Sequence, residues 1–153
     1  MASTEQLNAL MAEIGPMLEI QEVTGFESQN AWTLELDDQT LLFADHEPDQ
    51  NRLVISGEVA KPHPDRKAAL HELLLQYNYQ WKTTGGVRMA LDEPDGAVVQ
   101  ICDISTINLD ASALAGTIQV FTDVLRTWRD MLVQEPRNTE HEVDFASQGF
   151  IRG

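Results

Sequence analysis

Cysteine is nearly absent from this chain. Its 153 residues include one, Cys102, which excludes an intramolecular disulfide and any multi-cysteine zinc site. That usage fits a reducing compartment. Positive charge is scarce as well: 10 Lys and Arg stand against 25 Asp and Glu, for a formal net charge of -15. DNA, RNA and anionic lipid bind faces that displace their counterions, so this charge repels all three. Long apolar runs are missing, and nothing approaches the roughly 20 residues of a membrane span. The opening MASTEQLNALMAEIG has neither a basic n-region nor a long apolar stretch, so it does not read as a signal peptide. These absences place the chain in the cytoplasm, with no nucleic acid and no membrane insertion. Its apolar content of 42% is ordinary for a soluble domain of this length, enough for a real core.

Catalytic constellations are also lacking. No two of His46, His63, His71 and His141 stand at i, i+4, and there is no His-Glu-x-x-His. His71 and Glu72 are helix neighbours, whose side chains point apart. Asp92, Glu93 and Asp95 fall short of a calcium loop, which takes about twelve residues and a terminal Glu; they read as a hairpin turn, and Asp37-Asp38 reads as another. Cys102 sits in an alternating apolar strand with no basic sequence neighbour, which makes it an inert buried thiol. Gly85-Gly86 lacks the rest of a phosphate loop, and no Gly-x-Ser-x-Gly occurs. The expectation is no catalytic residue, no cofactor and no metal.

What is present is an ordered alternation of elements. Ser3 and Gln6 are spaced as a capping box, ahead of a helical stripe of Leu7, Leu10, Met11 and Ile14 that Gly15-Pro16 should stop. Residues 17–30 are ambiguous: Leu18, Ile20 and Val23 can form a short extended piece, which Gly25 should break. Trp32, Leu34 and Leu36 alternate as a strand; 40–44 is a second strand, apolar on both faces; 53–59 is a third, after a polar loop. Asp65 can cap a helix with a stripe of Leu70, Leu73, Leu74, Tyr77 and Trp81. Val87, Met89 and Leu91 make a fourth strand and 97–104 a fifth. Asp110 caps a last helix carrying Leu114, Ile118, Phe121, Leu125, Trp128 and Leu132, which Pro136 closes. The fold class is α+β: a helix, a three-strand antiparallel meander, a helix, a β-hairpin and a helix. Residues 1–136 form one domain; 137–153 are a polar, mobile tail with a few scattered apolar side chains.

The positive signal is apolar excess. Leu75 and Tyr79 lie off the main stripe of the second helix, so that helix is apolar on more than one face. One sheet cannot cover all of it, and self-association is the economical explanation. A partly unfolded or basic protein partner suits the acidic surface.

Several short pieces then fall into a familiar order: AEIG at the end of the first helix, AWTLELDD on the first strand and its turn, LHELLLQYN with Leu74, Leu75 and Asn78, and GGVRMALDEPDG on the hairpin. With the size and acidity, they make the chain resemble the class I type III secretion chaperones, the family of the Tir chaperone, from the first helix to Trp128. The resemblance implies a homodimer that holds the N-terminal region of a secreted effector in extended form before export, without ATP. It implies a dimer contact through Leu73, Leu74, Tyr77 and Trp81. It also implies client patches on the first helix and early strands, with Leu7, Met11, Leu34, Leu42 and Val54 as candidates. The alternative is a regulatory adaptor of the same fold that sequesters a regulator protein; more remote is a small enzyme.

Overall fold

The computed structural model describes residues 2–37 and 40–133. The capping box is formed: Gln6 N–H donates to Ser3 Oγ at 3.2 Å and Ser3 N–H to Gln6 Oε1 at 2.9 Å. Helix α1 follows over Thr4–Met17. It runs through Gly15 and Pro16, where a stop was expected. Proline in the last turn forfeits little of the helical ladder, and the chain leaves through hydrogen bonds from Leu18 N to Ile14 O and from Ile20 N to Gly15 O.

The ambiguous stretch holds a strand, β1 at Glu22–Phe26, which begins after Leu18 and Ile20 and runs through Gly25. Val23 is its one partly buried residue, so no apolar alternation marked its bounds. Then come β2 (Ala31–Asp37), β3 (Thr40–Glu47) and β4 (Arg52–Ala60). Strand β3 continues to Glu47, into the expected loop, because Asp45, His46 and Glu47 pair with Val54, Leu53 and Arg52. Helix α2 spans Lys67–Tyr79. Asp65 does not cap it; Arg66 holds the N-cap position and makes no side-chain cap bond, while Asp65 lies in a short 3-10 turn beside His63. The hairpin β5 (Arg88–Leu91) and β6 (Val98–Ser105) precedes α3 (Ala111–Val133), where Asp110 Oδ1 accepts from Ala113 N–H at 2.7 Å. Pro136 and the expected tail lie outside the described residues.

The six strands form one antiparallel sheet in the order β1-β2-β3-β4-β6-β5. The architecture is α+β, with the expected meander extended by one edge strand. Helix α1 packs on α3, α3 on β4 and β6, and α2 on β5. Strand side chains alternate between faces. Leu34, Leu42, Ala44, Leu53, Ile55, Val98, Cys102 and Ile104 are buried in one core cluster with Leu114, Ile118, Phe121, Leu125 and Trp128 of α3. Gly57 makes room for that packing: a Cβ would stand 2.9 Å from Leu42 Cδ2 and 3.5 Å from Leu125 Cδ2, so the Leu42 side chain would have to shift. Gln100, fully buried, donates from Nε2 to the Phe121 carbonyl at 2.8 Å. The Arg129 guanidinium fastens α3 to the sheet through Glu58 O at 2.8 Å, Val59 O at 3.1 Å and Thr40 Oγ1 at 2.9 Å.

Candidate functional site

The chemistry-bearing side chains are engaged structurally. Burial pushes the Cys102 thiol up to about 11, far from a thiolate at neutral pH. Asp92 Oδ1 accepts from Ala97 N–H at 2.9 Å and Glu93 O accepts from Gly96 N–H at 2.9 Å, which closes the hairpin turn. His63, His46 and His71 lie on three different elements, and His141 lies outside the described residues. Among the described residues no three His, Cys, Asp or Glu are grouped to hold a metal ion.

The surface signal lies elsewhere. Helix α2 turns Leu70, Leu74 and Tyr77 into the core, where the Tyr77 and Trp128 rings meet edge to face at 5.1 Å between centroids. The opposite side carries Leu75, 70% exposed, and Tyr79, 82% exposed, with Trp81 at 66% just beyond the helix end. Exposure of three large apolar groups in seven residues of chain is costly for a lone protomer and typical of a covered surface. Lys82 Nζ lies 5.6 Å from the Trp81 ring centroid, a cation–π contact that shields one side of that ring.

Of the four residues expected at a dimer contact, Trp81 is exposed and Leu73 is partly buried. Leu74 and Tyr77 are corrected: they belong to the protomer's own core. The helix has two apolar faces, as its composition indicated, but the main stripe is spent on Trp128 and its surroundings. The off-stripe residues Leu75 and Tyr79 are the ones left outside.

Four of the five candidate client residues are corrected likewise, being buried within the protomer: Leu7 and Met11 on the inner side of α1, and Leu34 and Leu42 on the sheet. Leu34 and Leu42 are cross-strand partners on the helix side of the sheet, and period-two alternation sends the next residues along to the other side. Val54 does lie on that other side, half-buried. Sequence reasoning missed the neighbours Leu41 and Phe43, whose signal was that residues 40–44 are apolar on both faces. They stand 42% and 43% exposed on the open face of the sheet, as does Phe26 at 43% on β1.

Helices on one side of an antiparallel sheet, an outward apolar helix face and an open sheet face are the frame on which the comparisons bear. A family model, that of the Tir chaperone protein (CesT) family, matches residues 10–129. The chain belongs to the Tir chaperone (CesT) family. Members are secretion chaperones rather than enzymes. No curated protein matches the chain by sequence. Solved structures share the CesT-family fold at low identity. A chain in the crystal structure of the ExsC–ExsE complex is 19% identical with a TM-score of 0.72, over 86% of this chain and 97% of that one. One in the HopA1–SchA chaperone–effector complex is 21% identical with a TM-score of 0.66, over 81% and 93%. One in the structure of the Yersinia pestis type III secretion chaperone SycH with a fragment of YscM2 is 18% identical with a TM-score of 0.60, over 78% and 97%.

Proposed function

We propose that this CesT-family chain is a type III secretion chaperone acting as a cytoplasmic homodimer that holds the N-terminal region of a secreted effector before export. The family match over residues 10–129 carries the reading. The fold likeness to a chain in a chaperone–effector complex supports it. So does the chemistry: an extended client loses chain entropy when held, and apolar patches with exposed strand backbone offset that loss. A charge of -15 keeps a loaded, partly apolar complex soluble. No described helix is long and apolar enough to cross a membrane. The outer face of α2, with Leu75, Tyr79 and Trp81, is the self-association surface. Obligate interfaces bury roughly 2,000 Å² or more, which calls for the edge strand β5 with its exposed Leu91 to join it.

The deciding experiment is calorimetry with the N-terminal region of the secreted protein encoded beside this chain, without nucleotide or metal. Binding should show a negative heat-capacity change, the mark of apolar burial, and a chelator should not alter it. Failure to bind any secreted protein, with copurification of a transcription regulator, would replace this reading with the adaptor. Dependence on metal or nucleotide would replace it with a ligand-binding or enzymatic one.

A further inference from the structure

The open face of the sheet has its own pattern. Phe43 is paired across β2 and β4 with Thr33 and Ser56, and Ser56 with Ile101 beyond. Its directly opposite partners Thr33 and Ser56 are small, so the Phe43 ring has no large cross-strand partner on either adjacent strand. Leu41 stands two residues along the same strand and Phe26 on the outer strand. An antiparallel sheet can leave one face to water, but a solvated face is normally polar, and this one carries three exposed large apolar groups.

The charges around them have one sign. Arg52 pairs with Glu47 and Asp103, and Arg88 pairs with Asp103, so both arginines of this face are neutralised. Glu22, Glu35, Asp45 and Glu58 stand on the same face by register. No described residue forms a salt bridge with any of these four. The surface is therefore apolar at its centre and anionic around it.

We propose that this face binds client segments in which apolar residues alternate with Lys or Arg, with Phe43 and Leu41 as the apolar anchors and Glu22, Glu35, Asp45 and Glu58 as the cationic subsites. The assignment rests on the client-holding reading and adds to it a face and a chemical class of partner. Apolar burial supplies affinity, and the one-sign rim supplies selection against acidic segments and a fast encounter. An extended segment rises about 3.3 Å per residue against strands spaced about 4.8 Å, so about eight residues cross the six strands of the sheet.

The test uses the full chain and two synthetic peptides of about that length. In one, Leu and Phe alternate with Lys and Ser; in the other, Glu replaces Lys. The Lys peptide should bind wild type at least about tenfold more tightly than the Glu peptide, a difference of about 1.4 kcal/mol, and Phe43→Asp or Leu41→Asp should weaken it by a similar factor. Phe43→Asp adds negative charge. If attraction to an acidic protein were the whole effect, the Lys peptide would bind that variant more tightly than wild type, and the proposal would be wrong. Dissociation of the Phe43→Asp protein into a smaller species in sedimentation would assign the face to a second copy of the chain and likewise overturn it. Phe43→Ser removes the ring without placing a charge, and the same loss is expected if the Asp variant does not fold. An effector that copurifies with wild type and equally with both Phe43 variants would leave the chaperone reading standing and remove this face from it. Copurification of no effector with wild type would fail the chaperone reading itself.

Discussion

The side-chain amide of Asn78 pairs with both backbone groups of Met89: its Oδ1 accepts from the Met89 N–H at 2.8 Å and its Nδ2 donates to the Met89 carbonyl at 2.9 Å. Helix α2 is thereby joined to the outer strand β5 much as a further strand would be. Asn78→Ala leaves two partly buried backbone groups unsatisfied, each worth roughly 1–3 kcal/mol. Urea denaturation should show a loss of roughly 2–6 kcal/mol for the two together, and hydrogen exchange at Met89 should rise.

The outer face of α2 should govern assembly while its inner face governs folding. Tyr79→Asp and Trp81→Asp should yield folded protomers in analytical ultracentrifugation at micromolar concentration. Leu74→Asp should lower the denaturation midpoint severely, since it buries a charge in the core. Dimers that survive Tyr79→Asp and Trp81→Asp together would place the self-association surface elsewhere.

Trp128 is fully buried against Tyr77. Trp128→Ala should destabilise by roughly 3–5 kcal/mol, the range for deleting a large aromatic from a core that collapses only in part. Chemical denaturation followed by circular dichroism reads this directly.

Phe121 and Trp128 were readable as core because a long amphipathic helix repeats its period often enough to fix its face. The meander and hairpin were readable for the corresponding reason in strands. Leu34 and Leu42 were misplaced because alternation shows which residues share a face, and not which face the helices cover. The bounds of strand β1 were illegible because its side chains face mostly water, and hydrophobic patterning registers only what is buried. The resemblance implied an interface role for Leu74 and Tyr77, whereas they are the main stripe of a helix with two apolar faces, and that stripe packs in the protomer's own core.

His46 is buried in β3, and desolvation lowers its pKa from 6.5. Neither ring nitrogen has a hydrogen-bond partner among the described residues. The unfolded chain therefore takes up a proton more readily than the native one, and stability rises with pH across this window. The contribution is complete above about 6.5 and declines as the pH falls from there toward the lower folded value. His46→Leu should flatten that dependence, measured as urea midpoints at about pH 7.5 and about pH 5.

Cys102, with its thiol pushed up to about 11, should resist iodoacetamide in the native protein at about pH 8 and react once urea exposes it. Mass spectrometry before and after unfolding distinguishes the two states.

Strand β4 is completed by β6 rather than by a neighbour in the chain: Val54 lies beside Asp103 and Leu53 beside Ile104. A ribosome making this protein therefore releases the whole meander before the strand that seals it, and later still the helix whose Arg129 holds β4 at Val59. Until then β4 is an unpaired edge, with Leu53 and Ile55 wet on its inner side. Contacts so distant in sequence close slowly, and exposed edges of this kind are where nascent chains aggregate. Truncation between α2 and β6 should thus yield an insoluble fragment rather than a smaller working domain.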